Sequence, residues 1–417
     1  MYAGIAPRTN PSIEDLLTKK YDAGGNVGNL MFINAVGEST DPKGDNYVEI
    51  THYRADVTNA ETINRNFDCF LLPLADAFRD DNVAQLKRLT ALIKKLRIPC
   101  VVVGVGLRAR YDSAVDEPHA FDEAVKGFVR AVLEKSACLG LRGERTALYL
   151  RHLGFREEQD FTQIGCPSMC MAGVNLKIKD VKLPQISHIA LNGNDLAAEN
   201  ISKLFRRVLE DYPDSYIVQQ RESEIADIYI GKYAIGKKFR VDGSLYGVNL
   251  YGRMLTENRI KGFSNIYRWT EFLSKMDFCL SSRFHGTVAS LLAGVPSLII
   301  PIDSRMQEMV EYHAIPHVAA SDVMETDTLE SLISRVDIHS SERVAKRNLC
   351  RYFDFLDRNQ LPHVSYDYIP TYKYVGGGGY SDWKLPEKPF LELSRSRRVG
   401  RIVKFYTKKV ENKIARK

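Results

Sequence analysis

Apolar runs of strand length alternate with amphipathic helical segments along most of the chain. In the first half the runs CFLLPL (69–74) and IPCVVVGVGL (98–107) flank a helical stretch, NVAQLKRLTALIKKL. A further helix and a short strand follow, and the pattern restarts with the runs HIALN, SYIVQQ, DFCLSS and PSLIIPI. Buried apolar strands that alternate with helices of period near 3.6 indicate βαβ units and parallel sheets.

The length of 417 residues exceeds that of one ordinary core, which favours two domains. The repeated pattern predicts an N-terminal α/β domain over residues 1–180 and a C-terminal α/β domain over residues 181–365. Residues 366–417 are predicted to form a linker, with four glycines at 376–379, and a basic amphipathic tail. Two such domains leave a cleft at the carboxyl ends of their strands, where open α/β sheets bind ligands.

Composition narrows the class of protein. Hydrophobic residues make up 44% and charged residues 26%, which is typical of a globular protein. No stretch is long and apolar enough to span a bilayer, and the N-terminus lacks the apolar core of a secretory signal. Seven cysteines without paired spacing predict reduced thiols and a cytoplasmic protein. Cys166 and Cys170 lack a nearby histidine pattern, so we interpret them as small buried hydrophobic residues and predict no metal site.

The positive charge is concentrated in the tail. The net charge of the chain is +6, but residues 395–417 hold ten Lys and Arg against one Glu, a net of +9. A basic amphipathic helix would suit an anionic membrane surface, which would place the protein on the inner face of the plasma membrane. A solvated, disordered tail is the alternative, and no aromatic platform or recognition motif supports nucleic-acid binding. The apolar positions at helical spacing are Val399, Ile402, Val403, Tyr406 and Val410.

The segment SSRFHG joins an apolar strand to a helix of small residues. Ser282, Arg283, Phe284 and His285 are predicted to lie on the turn, with the helix opening at Gly286. A helix N-terminus offers free N–H groups, and arginine adds a fork of donors suited to phosphate or carboxylate. A histidine beside an arginine holds its proton less tightly and can exchange it near neutral pH. The turn predicts anion binding and proton transfer; the alternative is a turn arginine and a capping histidine without chemistry.

The segment SSRFHGTVASLLAGVPSLII resembles a block of the polysaccharide pyruvyl transferases, which have an Arg-x-His-Gly turn, a small-residue helix and Gly-Val-Pro before an apolar strand. GGNVGNLMFINAV resembles the family's Gly-Asn-x-Gly-Asp loop, with Asn29 where aspartate is usual. IPCVVVGVGL and LRGERTALYLRHLGF resemble two further segments. In these, Val105 stands where glutamine is frequent, and Gly143 stands where aspartate usually follows the arginine.

The resemblance covers about residues 20–320. IDSR matches a family turn that usually ends in lysine, here Arg305. LLPLADAFRDD stands where family members often have a glycine-rich turn, so this chain departs from the pattern there.

The resemblance implies an α/β fold of two Rossmann-like domains facing a cleft, on the plan of GT-B glycosyltransferases. It implies transfer of a pyruvyl group from phosphoenolpyruvate to two hydroxyls of one sugar in a polysaccharide precursor, as a cyclic ketal. The product would belong to an exopolysaccharide, a capsule or another cell-envelope glycan. Phosphoenolpyruvate is the donor substrate, and no cofactor and no metal are expected. The expected partners are this donor and a glycan or lipid-linked glycan acceptor, with no nucleic acid.

Within that reaction, His285 is the expected proton donor. Arg283 and Arg142 form the expected anion clamp, assisted by the backbone N–H of Gly286. The other expected substrate-binding residues lie in glycine loops, on the turn or at strand ends: Ser282, Gly25, Asn26, Gly28, Asn29, Gly106, Arg108 and Arg305.

Three of these arginines have structural alternatives. Arg142 would form a salt bridge to Glu144 or another neighbour. Arg305 would pair with Glu308 one helical step later. Arg108 would belong to a basic surface loop.

Two rival functions stay open. A glycosyltransferase that uses a nucleotide-sugar shares the two-domain plan, and the Arg-x-His turn fits a diphosphate as well as a small dianion. A non-catalytic carbohydrate-binding or assembly protein of the same fold is the second rival, favoured by the altered positions Asn29, Val105 and Gly143. Release of inorganic phosphate rather than nucleotide would separate the first rival from pyruvyl transfer.

Overall fold

The computed structural model describes residues 2–3, 12–18, 24–41, 50–51, 55–108, 117–231, 243–246, 248–365 and 393–415. The predicted glycine linker at residues 376–379 lies outside them. In these residues the strands are β1 (Tyr2–Ala3), β2 (Ile50–Thr51), β3 (Phe70–Pro73), β4 (Cys100–Val103), β5 (Leu139–Leu141), β6 (Phe161–Gln163), β7 (Ile189–Asn192), β8 (Tyr216–Gln219), β9 (Ile260–Gly262), β10 (Phe278–Ser281) and β11 (Ser297–Ile299).

The helices alternate with these strands and confirm the predicted α/β pattern. They are α1 (Ile13–Leu17), α2 (Gly28–Thr40), α3 (Ala60–Asn66), α4 (Val83–Lys95), α5 (Asp122–Leu133), α6 (Glu144–His152), α7 (Glu199–Asp211), α8 (Glu222–Tyr229), α9 (Gly243–Tyr246), α10 (Val248–Thr256), α11 (Ile266–Leu273), α12 (Phe284–Leu292), α13 (Ser304–Tyr312), α14 (Leu329–Ile333), α15 (Ser340–Arg358) and α16 (Arg395–Ala415).

The first sheet is parallel and has the order β2-β1-β3-β4. The β5-β6 pair continues it, because Val105 forms a parallel bridge to Leu141 just beyond β4. The resulting order 2-1-3-4-5-6 is that of a doubly wound, flavodoxin-like sheet. Every residue of β3 and β4 is buried, as expected of parallel strands with helices on both faces.

The second sheet is also parallel and has the order β11-β10-β7-β8-β9. This is the Rossmann order 3-2-1-4-5, in which the strand order reverses between the first and fourth strands. Here that switch point lies between β7 and β10, and the loops after these strands diverge to opposite faces. The chain therefore folds as two Rossmann-like α/β units, each with an open carboxyl edge.

Helix α12 begins two residues earlier than predicted, at Phe284 instead of Gly286. Arg283 has an extended backbone and is the N-cap residue, so His285 belongs to the first helical turn. The backbone N–H of Arg283 donates to Ser281 Oγ at 3.0 Å, which gives the turn a local hydrogen bond. The prediction that His285 lies on the turn before the helix is wrong by this shift.

The chain after α15 returns to the N-terminal half. Asn359 Oδ1 accepts hydrogen bonds from the backbone N–H groups of Ala137, at 3.0 Å, and Cys138, at 3.4 Å. Arg351 Nε donates to the carbonyl of Gln163 at 2.7 Å. Residues that follow the second sheet in the chain thus support β5 and β6 of the first sheet. The predicted domain boundaries at residues 180 and 365 stay predictions.

Asn359→Ala should destabilise the fold, because the N–H groups of Ala137 and Cys138 lose a buried acceptor. We expect the free energy of unfolding to fall by about 2 kcal/mol in urea denaturation followed by circular dichroism. Lys346→Ala, at an exposed position of the preceding helix α15, is the control and should change it by less than about 0.5 kcal/mol. Equal effects of the two changes would contradict the role of Asn359.

Candidate functional site

A cleft of about 420 Å³ opens where the carboxyl edges of the two sheets meet. Its N-terminal wall comes from the loops after β3, β4 and β5 and from the glycine loop before α2. Its C-terminal wall comes from the segments after β7, β8, β10 and β11. The cleft lies at the carboxyl ends of the strands, as predicted from the sequence, and it includes the switch point of the second sheet.

Ser282 and Gly286 fix the turn after β10 onto β7. Ser282 Oγ accepts a hydrogen bond from the N–H of Asn194 at 2.7 Å. A Cβ atom at Gly286 would lie 2.1 Å from Asn192 Oδ1, so only glycine allows α12 to approach β7 this closely. Both residues act inside the protein, behind the wall of the cleft. Their contacts with substrate stay predictions.

Arg283 is held in a buried ion pair. Its Nη2 lies 2.5 Å from Glu224 Oε1, and both side chains are only 6% exposed. Its Nε donates to the carbonyl of Gly193 at 2.6 Å. Glu224, in the first turn of α8, also accepts from Arg221 Nε at 3.0 Å. The guanidinium of Arg283 thus joins α8 to the turn after β10, and its predicted role as an anion clamp stays a prediction.

Arg142 follows β5 and reaches the cleft as a buried cation, 2% exposed. Its Nε donates to the carbonyl of Gly104 at 2.7 Å, and its Nη1 lies 3.2 Å from Met309 Sδ. Its Nη2 is buried without a hydrogen-bond partner. The alternative of a salt bridge to Glu144 is wrong, because Glu144 pairs with Arg151 at 2.6 Å. A buried donor without a partner is costly unless a ligand satisfies it.

Asp76, directly after β3, lies at the centre of a cluster of arginines. Arg305 Nη1 and Arg79 Nη1 are each 2.9 Å from its carboxylate oxygens, and Arg108 Nη1 is 3.6 Å away. Burial raises the pKa of Asp76, but the charges of these arginines and of Arg142 outweigh it and hold the pKa below its ordinary value. Asp303 also pairs with Arg305 and Asp81 with Arg79, so three carboxylates face four guanidinium groups. One positive charge is left over, which suits a phosphate or carboxylate group.

Arg305 pairs with Asp76 and, at 3.0 Å, with Asp303. The alternative of a pair with Glu308 is therefore wrong. The side chain of Glu308 instead accepts hydrogen bonds from Thr146 N and Oγ1, each at 2.9 Å. Burial raises the pKa of Glu308 to about 7 even though the bonds from Thr146 lower it. Glu308 is thus a buried carboxyl that titrates near neutral pH behind the arginine cluster.

His285 lines the cleft with a buried imidazole, whose Nε2 lies 3.8 Å from Cys166 Sγ. Burial lowers its pKa most, and the charges of Arg142 and Arg305 lower it further, to about 3. The expectation of proton exchange near neutral pH is wrong, because burial removes the solvation that stabilises the charged imidazolium. The imidazole is neutral at pH 7 unless an anion enters beside it.

The glycine loop before α2 packs directly on this histidine. A Cβ atom at Gly28 would lie 2.6 Å from both His285 Cβ and Gln220 Nε2. Asn26 Oδ1 accepts from the N–H of Gly28 at 2.9 Å and from Gln220 Nε2 at 2.8 Å. Asn26 and Asn29 line the cleft. The loop therefore brings two amide side chains of the N-terminal half against the C-terminal wall.

The remaining predicted residues divide between lining and support. Arg108 lines the cleft and is half-exposed, so it lies within reach of a ligand. Gly25 has a φ of +81°, which glycine adopts readily, and its carbonyl accepts from the N–H of Glu222 at 3.0 Å. A Cβ atom at Gly106 would lie 3.1 Å from Arg142 Cδ, so this glycine makes room for the buried arginine.

Sequence reasoning missed three carboxylates of the site. Asp76 had a usable signal, because it follows a buried apolar strand within LLPLADAF. Glu224 and Glu308 had none, since each lies on a helix among polar residues and becomes buried only through tertiary packing.

The described part of the chain contains no group of three or more His, Cys, Asp or Glu side chains that could hold a metal ion. None of its helices combines the length and the apolar character needed to cross a membrane.

Two Rossmann-like units that face a cleft lined by arginines define an α/β protein on the GT-B plan. The chain belongs to the polysaccharide pyruvyl transferase family, whose model, described as "Polysaccharide pyruvyl transferase", matches residues 12–304. The match ends at the beginning of α13 and includes the glycine loop, the arginine cluster except Arg305, and the turn with His285.

Solved structures similar to this chain are distant. The Anabaena protein Alr3699/HepE, in complex with UDP and glucose, is 12% identical with a TM-score of 0.43, over 86% of this chain and 96% of that protein. UDP-GlcNAc 2-epimerase from Neisseria meningitidis, bound to UDP-GlcNAc, is 12% identical with a TM-score of 0.40, over 85% of this chain and all of that one. TM-scores of this size support no argument about function. No curated protein sequence matches the chain significantly.

Gly28→Ala should destabilise the protein, because its new methyl group would lie 2.6 Å from His285 Cβ and Gln220 Nε2. We expect a loss of about 2 kcal/mol in free energy of unfolding, measured by urea denaturation. Gly127→Ala, within α5 and with open space around the new methyl group, is the matched control. It should stabilise by about 0.5–1 kcal/mol. A Gly28→Ala protein as stable as wild type would rule out this close contact.

The neutral state of His285 makes a prediction about pH. The folded pKa is about 3 against an ordinary value of 6.5, so below pH 6.5 the unfolded chain binds a proton that the folded protein excludes. Stability present above pH 6.5 is therefore lost as the pH falls toward 3. Between pH 6.5 and 5 this one histidine should cost about 1.5 kcal/mol.

The measurement compares urea denaturation of wild type and His285→Asn at the two pH values. The drop in free energy of unfolding should be smaller by about 1.5 kcal/mol in the variant. The other titrating groups, including the buried His313 whose pKa burial also lowers to about 3, remain in both proteins and cancel in the difference. Equal drops would show that His285 is protonated in the folded protein at pH 5.

Proposed function

We propose that this member of the family transfers a pyruvyl group from phosphoenolpyruvate to a sugar of a polysaccharide precursor, forming a cyclic ketal. The single observation that carries the proposal is the excess of arginines around Asp76 beside a buried, neutral His285. The donor is a small molecule with a phosphate and a carboxylate, and the reaction needs a proton delivered to carbon. The cleft offers a cationic wall for the first requirement and an imidazole for the second.

Donor binding would use the arginine donors that the fold leaves available. Arg142 Nη2 and Arg305 Nε are buried without hydrogen-bond partners, and Arg108 is half-exposed at the cleft. An entering phosphate or carboxylate would satisfy these donors and offset the repulsion among the guanidinium groups. Arg283 would contribute less than expected, because Glu224 and Gly193 already accept from it. In this proposal the cleft holds the donor as a substrate, without a cofactor.

Proton transfer would depend on the donor itself. Burial lowers the pKa of His285 most, and the charges of Arg142 and Arg305 lower it further. A bound anion that neutralises these arginines would remove their part of the shift and raise the pKa. His285 would then take a proton from solvent and pass it to the methylene carbon of the enol. The central carbon becomes electron-deficient and is captured by the first sugar hydroxyl, which gives up its proton to solvent. The second hydroxyl then displaces phosphate and passes its own proton to the departing phosphate, so the products are the ketal and inorganic phosphate.

The test is phosphate release from phosphoenolpyruvate, with lipid-linked oligosaccharides as acceptors. We expect release that requires the acceptor, a kcat at least about 100-fold lower in His285→Asn, and a KM for phosphoenolpyruvate about tenfold higher in Arg108→Gln. Arg97→Gln, which removes a surface arginine paired with Glu61 away from the cleft, is the matched control and should behave as wild type.

Mass spectrometry of the acceptor should show the added pyruvyl ketal. Release of nucleotide from a nucleotide-sugar, with no phosphate from phosphoenolpyruvate, would instead indicate a glycosyltransferase. A folded protein that binds the glycan, releases neither product and is unaffected by His285→Asn would indicate a non-catalytic assembly protein.

A further inference from the structure

Helix α16 carries an unpaired apolar stripe on its outward face. Its members recur at intervals of three or four residues, so they lie along one side of the helix. Each is between 49% and 68% exposed, although isoleucine, valine and tyrosine are ordinarily drawn to an apolar environment. The outward stripe consists of Val399, Val403, Tyr406, Val410 and Ile414.

The opposite face of α16 is docked on the body of the protein. Phe405 is 3% exposed and packs against Tyr229 at the end of α8, with ring centroids 6.3 Å apart. Lys404 and Lys408 form ion pairs with Glu14 of α1, at 3.1 and 3.0 Å. These contacts fix the rotation of the helix, so the outward stripe faces away from both α1 and α8.

Asn412 extends the docked face toward the end of the helix. Its Nδ2 donates to the carbonyl and the hydroxyl oxygen of Thr18, at 3.2 and 3.1 Å. Docking thus spans more than two turns, from Arg401, whose guanidinium lies 5.3 Å from the ring centre of Tyr229, to Asn412. A helix held over this length presents its outer side as a fixed surface.

Basic residues flank the outward stripe along one side. Arg395 precedes Val399 by one turn, and Lys409 and Lys413 alternate with the last two members of the stripe. All three are exposed, and Glu411 is the only acidic residue of the helix. An apolar stripe with cationic flanks matches the acyl chains and anionic headgroups of a membrane surface.

We infer that the outward stripe of α16 binds an anionic lipid surface while the inner face of the helix stays on the protein. Charge selects this occupant. Two copies of the stripe facing each other in antiparallel orientation would bring the basic flanks together, and like charges would repel. A nucleic acid would pair with the flanks but leave the apolar side chains against water. A lipid surface can take up the apolar side chains and pair with the basic flanks.

The test uses the full chain and sedimentation with vesicles. Wild type should bind vesicles of phosphatidylglycerol and phosphatidylcholine at least tenfold more tightly than vesicles of phosphatidylcholine alone, and less tightly as salt is raised. The double variant Val403→Asp/Val410→Asp should lose at least tenfold in binding to the anionic vesicles. Lys409→Gln/Lys413→Gln should weaken binding and reduce its dependence on salt.

Met324→Asp is the matched control, because it places the same charge at another exposed apolar position, 59% exposed, outside the tail. It should bind vesicles as wild type does. All variants should have the melting temperature of wild type, because the changed side chains are exposed. A thermal melt of each variant checks this.

Three outcomes would overturn the inference. The first is wild type that does not bind anionic vesicles. The second is a Val403→Asp/Val410→Asp protein that binds them as wild type does. The third is a dimer in light scattering that this double variant abolishes, because the stripe would then belong to an interface between two copies.

Discussion

The buried ion pair between Arg283 and Glu224 is the interaction on which the candidate site depends. It joins the turn after β10 to the first turn of α8, and both partners are almost completely removed from water. Removing one partner of such a pair leaves an uncompensated buried charge, which typically costs about 3–5 kcal/mol. The pair therefore fixes the position of α12 and of its residue His285 relative to the glycine loop, which packs on this histidine. It also occupies Nη2 of Arg283, whose Nε is bonded to the carbonyl of Gly193.

The remaining charges of the cleft follow from that arrangement. With Arg283 paired to Glu224, the surplus positive charge is that of the arginines around Asp76, where four guanidinium groups meet three carboxylates. Most of these arginines belong to the N-terminal half. His285 of the C-terminal half faces this positive field and has no carboxylate of its own within 4.0 Å among the described residues, so burial and the field together keep it neutral. An anion between the two walls would offset the positive field, although the imidazole would stay buried. The protonation state of the histidine is thus linked to occupancy of the arginine cluster.

Much of the fold could be predicted from sequence because its signals are local. Apolar runs such as CVVV and FCLS are continuous in the chain, and strands of that kind are buried wherever they pair. The turn with Arg283 and His285 could be found for the same reason, since a strand, a turn and a helix are contiguous there. The chemistry of the turn could not, because the partner of Arg283 lies 59 residues away and the burial of His285 comes from Gly28 of the other half. Spacing records which residues are neighbours in the chain, whereas pKa values depend on neighbours in space.

Helix α8 connects this site to the tail. Its first turn carries Glu224, and its last residue, Tyr229, packs against Phe405 of α16. The same helix therefore supports the turn of the cleft at one end and the amphipathic helix at the other.

The docking contacts of α16 use Phe405, Lys404 and Lys408, none of which belongs to the outward stripe. Binding of the stripe to a lipid surface would therefore leave these contacts and the Arg283–Glu224 pair in place. Lipid binding by α16 and ligand binding in the cleft would therefore use separate residues. The tail would determine where the protein is located, and the arginine cluster would determine which ligand the cleft binds.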